Sequence, residues 1–504
     1  MTLGEKKVLR YLNDTGSSWA PIDKIDCDVI NDVQRGKLCL RQKFDRFFVT
    51  FPYYKEMEEK IADMVVSRLR PVNVDVSLIK AYIKRFEQEE SARLGFSFNL
   101  APEQEEGVIT LLQNRLAILT GGPGTGKTSV LKCVAQIIHW IKTPSSISFT
   151  APTGKAARRV KESTGFFAVT VQSAIKDSGE EIQELRAITS DNVFTDEVSI
   201  LDMETFYKLL LSLSPWTKLY LIGDVDQLPS VGIGAILRDL IDCGIVPCCQ
   251  LEKTFRQDND STLFENIQIV KKGCYLPLRE GHDFRRIKTE ENCFDNSIKL
   301  YLEGLKEYGS ENTVILTPYR KEGTVCSERL NEKLQRICNP IGTAIHTTVI
   351  REGGRKLNMT FRVGDPVIQL VNRGRIANGD VGYITQIKGK EIQVQYTDCI
   401  VRYYPKNYSE LDLAYAISIH KAQGSEYKCV IIPFLRENQN LDRNMIYTGI
   451  TRAKSVVTVI GEDEVIMDAC KLQSAWERHT FLCEEILLLV KSTEIAAVIG
   501  SVND

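Results

Sequence analysis

The stretch Gly121-Gly122-Pro123-Gly124-Thr125-Gly126-Lys127-Thr128 constrains this chain more than any other. It lies between an apolar run, Leu116 to Thr120, and a helical pattern, Ser129 to Ile141. That arrangement is a phosphate-binding loop. Its glycines let backbone N–H groups turn inward around a phosphate chain, and the following helix points its positive N-terminal end at the same place. Gly122, Gly124, Thr125, Gly126 and Ser129 are expected to cradle the phosphates, Lys127 to reach the outer ones and Thr128 to ligate Mg²⁺. A buried parallel strand feeding such a loop predicts an α/β fold.

Composition narrows the rest. At 504 residues and 43% apolar content the chain exceeds a single core, so two to four domains are expected. The aliphatic run Ile486 to Val490 is cut by Lys491 and the N-terminus lacks a signal-peptide pattern, which predicts a cytoplasmic protein with no membrane partner. The 14 cysteines are scattered without a C-x-x-C pair, so reduced thiols are expected rather than a disulfide or metal framework. A formal net charge of −2 means that any nucleic-acid site is a local patch.

Residues 1–97 mix helical patterns with a short strand, Phe47 to Phe51, and read as a small, mostly helical domain with a two-strand wing, for which packing is preferred over nucleic-acid contact. Gln104, just ahead of the helix entering the phosphate loop, is placed to read an adenine edge, because an amide both donates and accepts. Strand Ser146 to Thr150 runs into Ala151-Pro152-Thr153-Gly154-Lys155, a turn at the carboxyl end of a strand, where ligands bind in such sheets. Residues 175–192 read as a polar insertion. Asp196-Glu197 follows Val193-Phe194-Thr195, a run shorter and more polar than a buried strand should be. In such a pair the first carboxylate holds Mg²⁺ and the second deprotonates an attacking water. Gln227 ends a clean strand, Leu219 to Ile222, and can contact a γ-phosphate, while Arg256 suits a phosphoryl transition state. A second α/β half starts at Thr313. Alternating strands between Phe361 and Tyr404, with turns at Gly364, Gly379 and Gly389, predict an inserted β-barrel.

With these blocks in this order, the sequence resembles superfamily 1 helicases, most closely the RecD-type DNA helicases, from about residue 98 to 462. GGPGTGKT, APTGKAA, the DE at Asp196, GDVDQLPSVGIGAIL, TFRQ, AISIHKAQGSE and TGITRAK look like successive family motifs. RNA-directed relatives differ after GD-x-x-Q, which favours DNA. The resemblance implies two RecA-like P-loop lobes (98–255, with a possible strand-separating pin at 175–192, and 256–340 plus 411–504), a barrel at 341–410, and a short N-terminal domain where longer relatives carry a larger region. It implies an ATP- and Mg²⁺-dependent helicase moving 5′ to 3′ on single-stranded DNA, active as a monomer at single-strand/duplex junctions in repair, recombination or replication. By family role Lys127 and Thr128 meet phosphates and metal, Asp196 the metal, and Glu197 is the base; Gln227 senses the γ-phosphate, with Arg256 and Arg452 as arginine fingers. Pro152, Thr153 and Lys155, with Thr317, His420 and Lys421, are the candidate DNA track. The rivals are a P-loop ATPase or kinase that never touches nucleic acid and a DNA-binding subunit with a dead site.

Overall fold

The computed structural model describes residues 1–141, 146–175, 185–255, 261–273, 276–321, 323–351, 354–373, 376, 378–397, 399–438, 440–473 and 477–502. The run before the phosphate loop forms strand Leu116–Gly121, buried along its whole length, as a strand covered on both faces must be. Lys218–Gly223 pairs with it in parallel on one side, Leu116 opposite Leu219, and Cys248–Leu251 on the other. The six-stranded order is Ala168–Thr170, Ile147–Ala151, Asn192–Thr195, Lys218–Gly223, Leu116–Gly121, Cys248–Leu251. Since each of these pairings is parallel, the loops after the strands emerge at one edge of the sheet.

Two sequence expectations change here. Asn192–Thr195 is a fully buried strand between Ile147–Ala151 and Lys218–Gly223. Its shortness misled the reading: Asn192 and Thr195 satisfy their polar groups inside the sheet, where Thr195 and Thr150 hydroxyls meet at 3.0 Å. The polar insertion at 175–192 is also narrower than its composition suggests, because Ile175, Ile188 and Asn192 are buried in this unit. The part of the pin reading that falls on 176–184 lies outside the described residues.

The chain divides into two compact units, one of Met1–Pro152, Ala156–Arg256 and Ala475–Asp504, the other of Thr153–Lys155 and Gln257–Ser474. The assignment of all of 411–504 to the second lobe is therefore corrected at its end. Helix Leu482–Val502 buries Leu482 and Ile486 in a core with Met57, Ile61 and Val65 of helix Pro52–Val66. The boundary at 97 is likewise not a packing boundary, since Ile79, Ile83 and Phe86 of helix Val76–Leu94 share a core with Leu119, Val130 and Val134. Ahead of these helices, Ala20–Pro21, Arg46–Thr50 and Cys39–Lys43 form a three-stranded antiparallel sheet.

The second unit holds a five-stranded parallel sheet in the order Phe284–Ile287, Ala453–Ile460, Tyr427–Pro433, Thr313–Thr317, Ala416–Ser418. Between its strands are a hairpin, Ala344–Ile350 with Lys356–Arg362, and a five-stranded antiparallel sheet whose last strand, Leu411–Leu413, lies just past the predicted end of the insert at 410. Ile392 and Val394 of that sheet reach one core with Ile315 and Ile431 of the parallel sheet. No helix among the described residues is long and apolar enough to cross a membrane, and no disulfide is found among the described cysteines.

Candidate functional site

Four loops at the carboxyl edge of the six-stranded sheet build the site. In the first, Gly124 (φ 78°) and Gly126 (φ 81°) take left-handed backbone that a side chain would strain. Thr125 is buried and donates its hydroxyl to the Gly122 carbonyl at 2.9 Å, which closes the turn from inside. Helix Lys127–Ile141 starts directly afterwards, so Lys127, Thr128 and Ser129 occupy its first turn. Lys127 Nζ donates to the Gly121 and Gly122 carbonyls at 2.5 and 2.9 Å. Burial pushes this lysine's pKa down, while Asp224, Glu197 and Asp196 pull it up.

The second loop carries the acid pair. Asp196 N–H donates to the Thr150 carbonyl at 2.9 Å, continuing the ladder one residue beyond the strand. Glu197 then turns into left-handed backbone (φ 56°) and donates its own N–H to Asp196 Oδ1 at 2.8 Å. A glutamate in that conformation is uncommon, and it turns the chain sharply at the strand end. Burial, then the Glu197 charge, push the Asp196 carboxyl up to about 6 against the pull of Lys127. A hydroxyl at Thr128 and one carboxylate at Asp196 fit Mg²⁺, which keeps most of its shell for water and phosphate oxygens. Among the described residues no group of three or more His, Cys, Asp or Glu makes an all-protein metal cage.

The third loop follows Lys218–Gly223. Gln227 is 5% exposed and donates to Asp224 Oδ2 at 3.1 Å; Asp224 Oδ1 accepts the Asp226 N–H at the same distance. Asp224 is therefore a site residue that the sequence reading left out. It faces Lys127 electrostatically and orients the glutamine. Its position at the end of a clean buried strand was the available signal. Arg159, on helix Gly154–Thr164, was missed as well, and its charge lowers the pKa of both Lys127 and Asp196. No motif reading distinguished it from Arg158 beside it.

The fourth loop leaves Cys248–Leu251. Phe255 N–H donates to the Gly124 carbonyl at 2.8 Å, so the residue before Arg256 is held at the phosphate loop. Arg256 itself lies outside the described residues. Glu103 accepts the Lys253 N–H at 3.2 Å and ties this segment to helix Pro102–Leu112. Gln104 next to it is buried. Its amide donates to the Thr125 carbonyl at 2.9 Å and accepts the Ala101 N–H at 3.0 Å, so both of its ends are already engaged.

Pro152 and Thr153 precede helix Gly154–Thr164, with Lys155 in its first turn. In the second unit, His420 and Lys421 lie on a short 3₁₀ turn, Ile419–Ala422, with His420 exposed. Thr317 is completely buried and gives its hydroxyl to the Tyr319 carbonyl at 2.8 Å. The hydroxyl is engaged in the turn at the strand end. Arg452 is 2% exposed and donates to the Thr448 carbonyl at 3.0 Å, the Ser425 carbonyl at 3.3 Å and the Thr451 hydroxyl at 3.1 Å.

Comparison with known proteins places both motif groups. Residues 104–233 match an AAA domain family, and residues 413–460 a UvrD-like helicase C-terminal domain. The ATP-dependent RecD2 DNA helicase of Deinococcus radiodurans is 29% identical over 87% of this chain and 58% of its own length. This chain is similar to the RecD-type DNA helicases. The RecBCD enzyme subunit RecD of Haemophilus influenzae is 24% identical over 72% of this chain and 69% of its own. The crystal structure of Pif1 helicase from Bacteroides with ADP-AlF3 and ssDNA, 18% identical, covers 78% of this chain and 98% of its own with a TM-score of 0.47. The chain thus spans under two thirds of the length of its Deinococcus RecD-type relative.

Proposed function

We propose that this chain is an ATP-hydrolysing DNA helicase that moves 5′ to 3′ on single-stranded DNA and opens duplexes at single-strand junctions. One observation carries the ATPase half: Lys127, Asp196, Glu197 and Asp224 interact electrostatically at one edge of one parallel sheet, with Gln227 hydrogen-bonded to Asp224. This is the charge arrangement that phosphoryl transfer requires, a cation at the phosphates, a metal-holding carboxylate, a base and a sensor. Thr128 and Asp196 would hold Mg²⁺, whose charge would neutralise that of the phosphates. Glu197 deprotonates the attacking water, Gln227 orients it, and Arg256 and Arg452 stabilise the transferring group. Similarity to a protein named as a DNA helicase supports DNA as the track, and 5′ to 3′ is the direction that the motif resemblance to RecD-type helicases implies. Lys155, His420 and Lys421 contact its phosphates, alongside Pro152 and Thr153. ATPase assays with and without single-stranded DNA, and unwinding of 5′-tailed against 3′-tailed duplexes, test this reading. Turnover indifferent to DNA would point to a plain P-loop ATPase, and unwinding of the 3′-tailed duplex alone would reverse the direction.

A further inference from the structure

The chain close to the C-terminal helix reaches a loop of the site. Arg478 Nη1 donates to Ser230 Oγ at 3.1 Å, to the Gly232 carbonyl at 3.0 Å and to the Gly234 carbonyl at 2.7 Å, and Nη2 donates to the Ser230 carbonyl at 2.5 Å. All four acceptors are neutral and all belong to residues 230–234, which begin three positions after Gln227. The planar fork of a guanidinium suits such a task, since one rigid group can fix several carbonyls at once.

The opposite face of this loop rests on the segment just after the acid pair. Met203 N–H donates to the Ile233 carbonyl at 2.9 Å. A Cβ on Gly232 would meet Asp202 Cβ at 2.7 Å, and one on Gly234 (φ 107°) would meet Met203 Cβ at 2.8 Å. The loop is thus held between Arg478 and the residues that follow Glu197. Arg478 is itself anchored. The Arg478 carbonyl accepts from Arg238 at 3.1 Å, His479 N–H donates to Ser17 Oγ at 3.0 Å, and the His479 carbonyl accepts the Ser18 and Trp19 N–H groups at 3.0 Å each. Thr480 donates to Asp239 at 2.8 Å and Phe481 N–H to Glu58 at 3.2 Å.

We propose that Arg478 is a positioning residue for hydrolysis: by fixing residues 230–234 against Asp202 and Met203, it sets Gln227 relative to Glu197. The proposal rests on the ATPase reading above. It concerns a residue outside every helicase-like motif, from a segment that the sequence reading assigned to the other lobe. Misplacement of a catalytic group by about 1 Å costs on the order of 10²-fold in rate, so loss of the clamp should act on turnover and little on nucleotide affinity.

The test compares wild type, Arg478→Ala, Arg478→Lys and Ser230→Ala in the full chain, with three measurements on each preparation: DNA-stimulated kcat, affinity for a fluorescent ATP analogue, and melting temperature. For Arg478→Ala the expectation is a roughly ten- to hundredfold fall in kcat per nucleotide-binding molecule, with affinity within about threefold of wild type. Arg478→Lys should recover part of the rate, because an ammonium can satisfy some of the four acceptors. Ser230→Ala removes one of the four acceptors together with the hydroxyl's own hydrogen bond to the Gly232 carbonyl at 3.0 Å, so it should loosen the same loop and show a smaller fall in kcat in the same direction even if Arg478→Ala does not fold. Normal kcat per nucleotide-binding molecule in Ser230→Ala and in whichever Arg478 variant folds would make the clamp purely structural and overturn the proposal. Absence of turnover in wild type would instead remove the ATPase reading itself.

Discussion

Gln104 donates its side-chain amide to the Thr125 carbonyl at 2.9 Å, so the helix before the first strand is tied to the phosphate loop itself. Its carbonyl oxygen accepts the Ala101 N–H at the same time. A residue expected to read a base is thus also a brace for the loop. Gln104→Ala should raise KM for ATP and for GTP together, by about tenfold, the value of roughly one hydrogen bond near a buried loop. Any extra loss for ATP measures what the remaining amide N–H gives to adenine. Unchanged KM for both nucleotides would show that the brace does not matter to binding.

Lys127 and Glu197 separate binding from chemistry. Lys127→Ala should abolish turnover, because no other lysine donates into the loop formed by Gly121 and Gly122 among the described residues. This lysine is hydrogen-bonded rather than freely solvated, so the substitution should also cost about 1–2 kcal/mol of stability, read as a lower melting temperature. Glu197→Gln should bind ATP and fail to hydrolyse it. Wild-type hydrolysis by Glu197→Gln in the presence of DNA would strike out Glu197 as the base.

How much of this was legible in the sequence follows from where each signal is local. The phosphate loop and strands such as Leu116–Gly121 and Lys218–Gly223 announce themselves because a two-face-buried parallel strand must be continuously apolar. Asn192–Thr195 escaped because its polar groups are satisfied by partners distant in the chain, such as Thr150. Asp224 is marked in the sequence only by its place at a strand end, and Arg159 by nothing that separates it from Arg158, because both roles depend on facing Lys127 across the fold. The same is true of the segment Arg478–Phe481, whose partners lie near residues 17, 58, 230 and 239. Thr317 is the reverse case: its place at a strand end is legible in the sequence, whereas the local hydrogen bond from its hydroxyl to the Tyr319 carbonyl is not.

Glu58 predicts a pH dependence away from the site. It is buried beneath Ser18, Trp19 and the Phe481 N–H, and burial pushes its carboxyl up from 4.5 to about 7 against those three hydrogen bonds. Between about pH 4.5 and 7 the folded chain therefore holds a proton that the unfolded chain has released, so stability should fall as pH rises through that window and level off above it. The full effect is on the order of 3 kcal/mol. Glu58→Gln should flatten the dependence of melting temperature on pH, leaving a smaller slope to which Asp239, pushed up to about 6 by burial, contributes. An unchanged slope would mean that Glu58 is ionised throughout.

Arg452 is the sharpest test of the hydrolytic reading, because its surroundings are consistent with two roles. Its guanidinium is fastened to the Thr448 and Ser425 carbonyls and the Thr451 hydroxyl within its own unit, and Tyr427 N–H donates to the Arg452 carbonyl at 2.9 Å. These contacts also suit a purely structural role, in which the guanidinium braces the Thr448 and Ser425 carbonyls. In the hydrolytic role the same guanidinium stabilises the charge that develops on the transferring phosphoryl group. Arg452→Ala should therefore lower DNA-stimulated kcat by roughly 10³-fold or more while changing ATP affinity much less. It should also lower the melting temperature, because three buried acceptors lose their donor. Arg452→Lys keeps the charge without the fork and should restore stability better than rate. Measuring kcat per nucleotide-binding molecule, affinity and melting temperature on the same preparations distinguishes the roles. A destabilised Arg452→Ala protein with near-normal kcat per binding molecule would leave Arg452 as a brace between Thr448 and Ser425, and the transition-state charge would then have to come from elsewhere.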